Sequence, residues 1–167
     1  YAAFVRQPQH PQLPAWASRT LAALGTAAVG NETVMAGYSL MQYYHLTGGT
    51  AQQEQVVRRI DPMLADPAIT PVTRCYWLWT NSNYVLRTGA PRDAIVLIDQ
   101  AVELATDHGL AVAAVLRRYR IGHDLTVPNL ARAGAELAAL EGVRRVEPYY
   151  EMRAWLALQR GELAVAL

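Results

Sequence analysis

Residues 89–109 read GAPRDAIVLIDQAVELATDHG. Gly89 and Gly109 stand just outside the two ends, and Pro91 sits where a helix begins, a position that needs no N–H. Between them Ala94, Ile98, Ala101 and Ala105 recur at helical spacing. They share one face of a helix with 3.6 residues per turn. Asp93, Gln100, Glu103 and Asp107 fall largely on the other side. The spacing predicts an amphipathic helix from Pro91 to about Asp107, with its alanine-rich stripe turned inward.

Similar punctuation recurs outward from this stretch. Pro14 opens a short helix over 15–24, after an extended entry segment at 1–14 that is rich in proline and glutamine. Asn31 is placed to cap a helix that runs to about 46 and ends at Gly48-Gly49. Thr50 and Gln53 have capping-box spacing for a helix to about 64. Within that helix Asp61-Pro62 is a point of kinking or shortening. Thr70-Pro71 supplies a cap and a first-turn proline for a helix to about Arg87. Further helices are expected over 111–125, 129–141 and 147–160, and Gly161 separates the last from a truncated final one. No stretch of strict alternation competes, so the chain reads as all-α, residues 15–167 forming one helical domain.

Composition agrees. There are 28 alanines and 20 leucines among 167 residues, both strong helix formers. The formal net charge is +1, so no general attraction to nucleic acid or to an anionic membrane is encoded. All 15 basic residues are arginine, which excludes a phosphate-loop lysine, a Schiff base and a serine–lysine pair. One cysteine, Cys75, makes neither an internal disulfide nor a thiolate metal site. That fits a reducing, cytoplasmic setting. No apolar run reaches the length of a membrane span. The chain opens at Tyr1 and stops within a helical pattern, so it is expected to be a segment of a longer protein.

The joints between helices repeat. Gly48-Gly49-Thr50-Ala51-Gln52-Gln53, Gly89-Ala90-Pro91-Arg92-Asp93-Ala94, Pro128-Asn129-Leu130-Ala131-Arg132-Ala133 and Gly161-Glu162-Leu163-Ala164-Val165-Ala166 begin 41, 39 and 33 residues apart. This brackets the period of helical-pair repeats, about 34 residues for the tetratricopeptide type. The small alanine closing three of these joints lets the second helix of a pair approach the first. Gln53 stands where that alanine is expected in the first unit, Pro128 replaces glycine in the third, and Asn81 sits where a core leucine is expected. The expectation is a set of degenerate tetratricopeptide-like antiparallel helix pairs, forming a right-handed superhelix.

Four stretches carry a more specific likeness: PQHPQLPAWASRTLAAL (8–24), GYSLMQYYHLTGG (37–49), TPVTRCYWLW (70–79) and YYEMRAWLALQRGELAVAL (149–167). They resemble the helical-repeat region of large ATP-dependent bacterial transcriptional regulators of the MalT type. Regulators of that type join an ATPase module and a repeat array to a DNA-binding domain of the LuxR or SARP kind. The resemblance implies that the repeats sense an inducer and restrain or release the ATPase. It also implies that the neighbouring ATPase and DNA-binding domains of the parent chain are partners.

Catalytic patterns are missing. Gly25 and Gly30 have phosphate-loop spacing, but Asn31-Glu32 follows in place of the lysine and hydroxyl residue. His10, His45, His108 and His123 have no zinc-ligand spacing. Ser18, Ser39 and Ser82 sit in no nucleophile elbow. Cys75 reads as a small apolar core residue. The reading is therefore of a protein that is not an enzyme and needs no cofactor or metal.

The remaining signals are arginine and the aromatic rings. Arg117, Arg118, Arg120 and the pair Arg144-Arg145 are the basic clusters, with Asp107, Asp124, Glu136 and Glu141 as expected ion-pair partners rather than a nucleic-acid contact. Nine tyrosines and four tryptophans stand against the single Phe4. Such rings suit surfaces with one apolar and one wet side. Many fall on the first helix of each pair, which in a tetratricopeptide array lines the concave face. The repeat template assigns to that face Tyr38 with Gln42, Trp79 with Asn83, Arg118 with Gly122, and Glu151 with Trp155. It assigns Tyr44 and Tyr150 to the core. Trp79 would stack a ring, Gln42 and Asn83 would hydrogen-bond it, and Arg87 and Arg118 would hold a carboxylate or phosphate. The occupant is expected to be a small-molecule effector or a peptide or protein partner. A generic interaction scaffold, or an accessory domain of a signalling enzyme, stays open as an alternative.

Overall fold

The computed structural model describes residues 10–140 and 147–162, together with the side chains of those residues except 140 and 147–151. Eight α-helices lie among the described residues: α1 (Leu13–Leu24), α2 (Asn31–Thr47), α3 (Thr50–Ile60), α4 (Pro71–Arg87), α5 (Pro91–Asp107), α6 (Ala113–Thr126), α7 (Leu130–Leu140) and α8 (Glu147–Arg160). A 3-10 turn, Asp61–Ala65, follows α3. There is no strand among them, and the all-α class holds.

The chain divides into two compact units, residues 1–84 and 85–167, the boundary falling within α4. In the first unit α1 packs on α2 and α3, and α2 packs on α3. Leu13, Val34, Leu40, Val56, Ile60 and Trp77 are fully buried there. The turn between α2 and α3 depends on Gly48, which ends α2 with φ +78. Beside it, a Cβ on Gly49 would meet the Tyr44 ring at 2.6 Å. In the second unit α5 packs on α6, α6 on α7, and α8 on both α6 and α7. The expected stripe of α5 is its core face: Ala94, Ile98, Ala101 and Ala105 are all fully buried. Ala133, the small residue closing the α6–α7 joint, is fully buried as well.

Several local expectations change. Helix α1 starts at Leu13, two residues early, with Pro14 in its first turn. The segment 1–9 lies outside the described residues, as do 141–146 and 163–167. Asn31 does not cap its own helix; Gly30 holds that position. Its side chain instead reaches 39 residues ahead, where Oδ1 accepts from the Thr70 amide at 2.9 Å and Nδ2 donates to the Ala68 carbonyl at 3.0 Å. Asn31 thereby ties the start of α2 to the loop that opens α4.

The capping box at Thr50 and Gln53 does not form, because Gly49 caps α3 and no side chain bonds there. Gln53 is buried, and its amide donates to the Met41 carbonyl at 3.0 Å. The residue in the alanine position thus fills the α2–α3 contact with a satisfied polar group. Asp61-Pro62 acts as expected: α3 stops at Ile60, and the chain tightens into the 3-10 turn. Thr70 meets its expectation too, accepting from the Thr73 amide at 3.4 Å ahead of Pro71.

Candidate functional site

Helices α2 and α4 bring several of the expected contact residues together within the first unit. The Tyr38 ring lies 5.7 Å from that of Tyr76, edge to face, and 6.1 Å from that of Trp79. Tyr76 and Trp79 are 6.3 Å apart. These separations are those of interacting aromatic pairs. One turn after Tyr38, the Gln42 amide donates to the Thr80 hydroxyl at 2.7 Å, which pins α2 to α4. One turn after Trp79, the Asn83 amide donates back to the Trp79 carbonyl at 3.1 Å.

Burial sorts these residues. Tyr76, Trp79, Gln42 and Asn83 are half-buried and reach solvent on one side. Tyr38, expected on the open face, is only 3% exposed. It therefore backs the aromatic group from within. Trp77, another ring of the first-helix collection, is fully buried. Tyr43 and Tyr44 are buried as well, the latter as the repeat template requires. The surplus of tyrosine and tryptophan is thus divided between core and surface.

In the second unit Arg87 is exposed at the end of α4, and Arg118 is half-buried on α6. Trp155 is 41% exposed on α8. The side chains of Glu151 and Tyr150 lie outside the described residues, as do Glu141 and the pair Arg144-Arg145.

Within the basic cluster of α6, Arg120 is ion-paired. Arg120 bonds Glu136 and stands 3.7 Å from Asp99. Arg132 bonds both Asp99 and Asp124. Arg117 reaches the Thr106 hydroxyl at 3.4 Å. Glu136 is an expected partner of the cluster; Asp124, expected there too, pairs instead with Arg132. Asp99 and Arg132 were not expected, since they arrive from α5 and α7 and no short-range spacing marks them. The Arg132 guanidinium is held firmly in its charged form, first by its hydrogen bonds to Asp124 and then, against the cost of burial, by Asp99.

A second polar cluster was read in the sequence only as a helix break and a misplaced asparagine. The Trp77 indole donates to Asp61 Oδ1 at 2.7 Å, and the Asn81 amide donates to the same oxygen at 3.3 Å. Burial pushes the Asp61 carboxyl above its ordinary value; the two hydrogen bonds pull the other way. Asn81 is only 5% exposed. The polar residue in a leucine position is explained by this bond to the turn before α4.

An open cleft of about 600 Å³ lies beside α1, the end of α2 and the start of α3. Tyr43, Tyr44, Thr47, Gln52 and Gln55 line it with Leu21. No charged side chain is among its lining residues. None of the expected contact residues lines it.

Cys75 is buried, and its thiol is pushed up to about 11 by that burial. It therefore carries almost no thiolate near neutral pH. Among the described residues no group of three or more His, Cys, Asp or Glu would hold a metal ion. No helix among them is long and apolar enough to cross a membrane. What the α2–α4 face offers is aromatic surface with amide and hydroxyl groups at its edge, which suits binding. Compared with protein-family models, with curated proteins and with solved structures, the chain matches none.

Proposed function

We propose that the chain is a non-catalytic sensing or interaction module, built from tetratricopeptide-like helix pairs, of a larger cytoplasmic bacterial transcriptional regulator. The observation that carries this reading is the joined aromatic group Tyr38–Tyr76–Trp79, with Gln42 locked to Thr80 beside it. Its members come from α2 and α4, the helices on which the repeat template puts a contact face. The packing of α8 on both α6 and α7 supports the same stacking in the second unit. In this reading Trp79 and Tyr76 offer ring surface to an effector, and the side-chain oxygen of Gln42, whose amide nitrogen holds Thr80, gives it an acceptor. A bound effector shifts an inactive–active balance of the parent chain by no more than its differential affinity for the two states. The four sequence stretches that resemble MalT-type regulators supply the regulatory context.

A protein partner is favoured by a specific observation in the second unit. Trp155 is 41% and Leu158 53% exposed on α8. Tryptophan is among the residue types enriched where proteins meet, and Leu158 lies one turn from Trp155.

The test is a thermal-shift screen of wild type and Trp79→Ala. The probes are neutral sugars, carboxylated and phosphorylated metabolites, and peptides spanning the partner domains. A compound that raises the wild-type midpoint but not that of a helical Trp79→Ala variant supports the reading. Equal shifts in both proteins remove the α2–α4 face from it. A response to peptides alone makes the module a scaffold.

A further inference from the structure

Near Asp61 there are too few hydrogens for the acceptors present. Asp61 Oδ1 takes both nearby N–H groups, from Trp77 at 2.7 Å and from Asn81 at 3.3 Å. The other polar atom of Asn81, its Oδ1, is buried and has no hydrogen-bond partner. An amide enclosed to this degree ordinarily satisfies both of its ends. One more hydrogen, placed on the adjacent carboxyl, would supply the missing donor.

We propose that Asp61 and Asn81 form a proton-binding clasp, in which the Asp61 carboxyl takes up a proton from acid solution and donates it to Asn81 Oδ1. The carboxylate–amide contact then becomes an acid–amide pair with two hydrogen bonds. The proton comes from solvent, which Asp61 reaches because the residue as a whole is exposed. The clasp joins the 3-10 turn to α4, so protonation strengthens the hold of that turn on the helix carrying Tyr76 and Trp79. It acts whether or not the aromatic face binds anything.

The charged groups on the surrounding elements have other partners or play no part in setting this carboxyl. On α3, Arg58 pairs with Glu54, and Arg59 bonds the carbonyls of Leu24 and Ala27. On α4, Arg74 bonds the Asp66 carbonyl. Arg87 ends the same helix, Glu32 and His45 sit near the two ends of α2, and Asp66 follows the turn. The Asp61 carboxyl is set by burial, Trp77 and Asn81, and the net effect is upward. A carboxyl raised in the folded state gives stability that is present below its unfolded value and is lost as pH rises through its folded value.

The test is a pH titration of the whole chain by NMR, following the Asp61 carboxyl carbon, the Asn81 side-chain amide and the Trp77 indole N–H. The Asp61 midpoint is expected above the ordinary aspartate value of about 3.9. The Asn81 and Trp77 signals should move with that same midpoint, and Asp61→Asn should abolish their movement while far-UV dichroism shows the helices intact. An Asp61 midpoint at or below the ordinary value would overturn the proposal. So would Asn81 and Trp77 signals that stay still while Asp61 titrates.

Discussion

Arg132 grips the fully buried carboxylate of Asp124 with two parallel hydrogen bonds, from Nε and Nη2, each of 2.7 Å. The same guanidinium reaches Asp99 on α5 at 2.8 Å. One side chain of α7 thus fastens three helices of the second unit. Asn129 adds a weaker contact to Asp124 at 3.5 Å, and its backbone amide bonds the Asp124 carbonyl at 2.8 Å. Two-point pairing of this kind fixes geometry as well as charge.

Removing the arginine alone should therefore cost more than an ordinary surface pair. Arg132→Met leaves the Asp124 carboxylate buried without its cation. A fully enclosed pair broken in this way loses about 3–5 kcal/mol. The Arg132 side chain keeps 31% of its surface in water, so about 2–3 kcal/mol is expected here. Urea unfolding of the single variant and of Arg132→Met/Asp124→Leu checks this. The double variant should recover part of the loss, because it removes the stranded charge.

Close approach of helices governs a second prediction. A Cβ on Gly37 would stand 2.7 Å from Ile60 Cγ1 and 3.3 Å from the Trp77 ring. Gly37→Ala should destabilise by about 1–3 kcal/mol through overpacking, despite the better helix propensity of alanine. Combining it with Ile60→Ala should give a loss clearly smaller than the sum of the two, since the smaller side chain vacates the space the new methyl needs. Additive losses in denaturant unfolding would place the strain elsewhere.

Gln53 provides a third. The repeat pattern favours alanine here, and sequence reasoning alone would welcome Gln53→Ala. The buried amide, however, fills the α2–α3 contact and donates to the Met41 carbonyl. Its removal should cost about 1–3 kcal/mol, combining a cavity and a lost hydrogen bond. A thermal midpoint equal to or above wild type would show that the template, and not the observed contact, governs the site.

These three sites indicate which parts of the molecule were legible in the sequence. The α5 stripe was readable because four small or branched side chains recur at one helical spacing, and glycine and proline marked its ends. The same signals located the other joints to within a few residues. Long-range partners leave no such trace. Asn31 has the right chemistry for a cap and uses it, but on Ala68 and Thr70 rather than on its own helix. Asp99 reads as one more polar residue of α5 until α7 brings Arg132 to it.

The candidate site shows the same limit. Trp77 and Trp79 are two positions apart on one helix, which turns them to widely different directions. Periodicity says that they differ but not which one faces the core. The observed answer follows from Asp61, which holds the Trp77 indole inward. It also follows from Gly37, whose missing side chain makes room for that ring. Neither residue carries a local signal for that role.

The last prediction concerns reactivity. Cys75 is fully buried on α4, and its thiol is raised to about 11 against an ordinary value near 9. Only the thiolate attacks an alkylating or disulfide reagent. At pH 8 the shift alone lowers the thiolate fraction by roughly two orders of magnitude, and burial slows access further. Iodoacetamide should therefore leave Cys75 unmodified in the native protein over a time that fully alkylates the urea-unfolded chain, as read by intact mass. Native labelling should track the fraction that opens, so Gly37→Ala, which strains the contact beside Trp77 on the same helix, should speed it. Rapid labelling of the stable wild type would mean that this part of α4 opens readily, contrary to the full burial of Cys75.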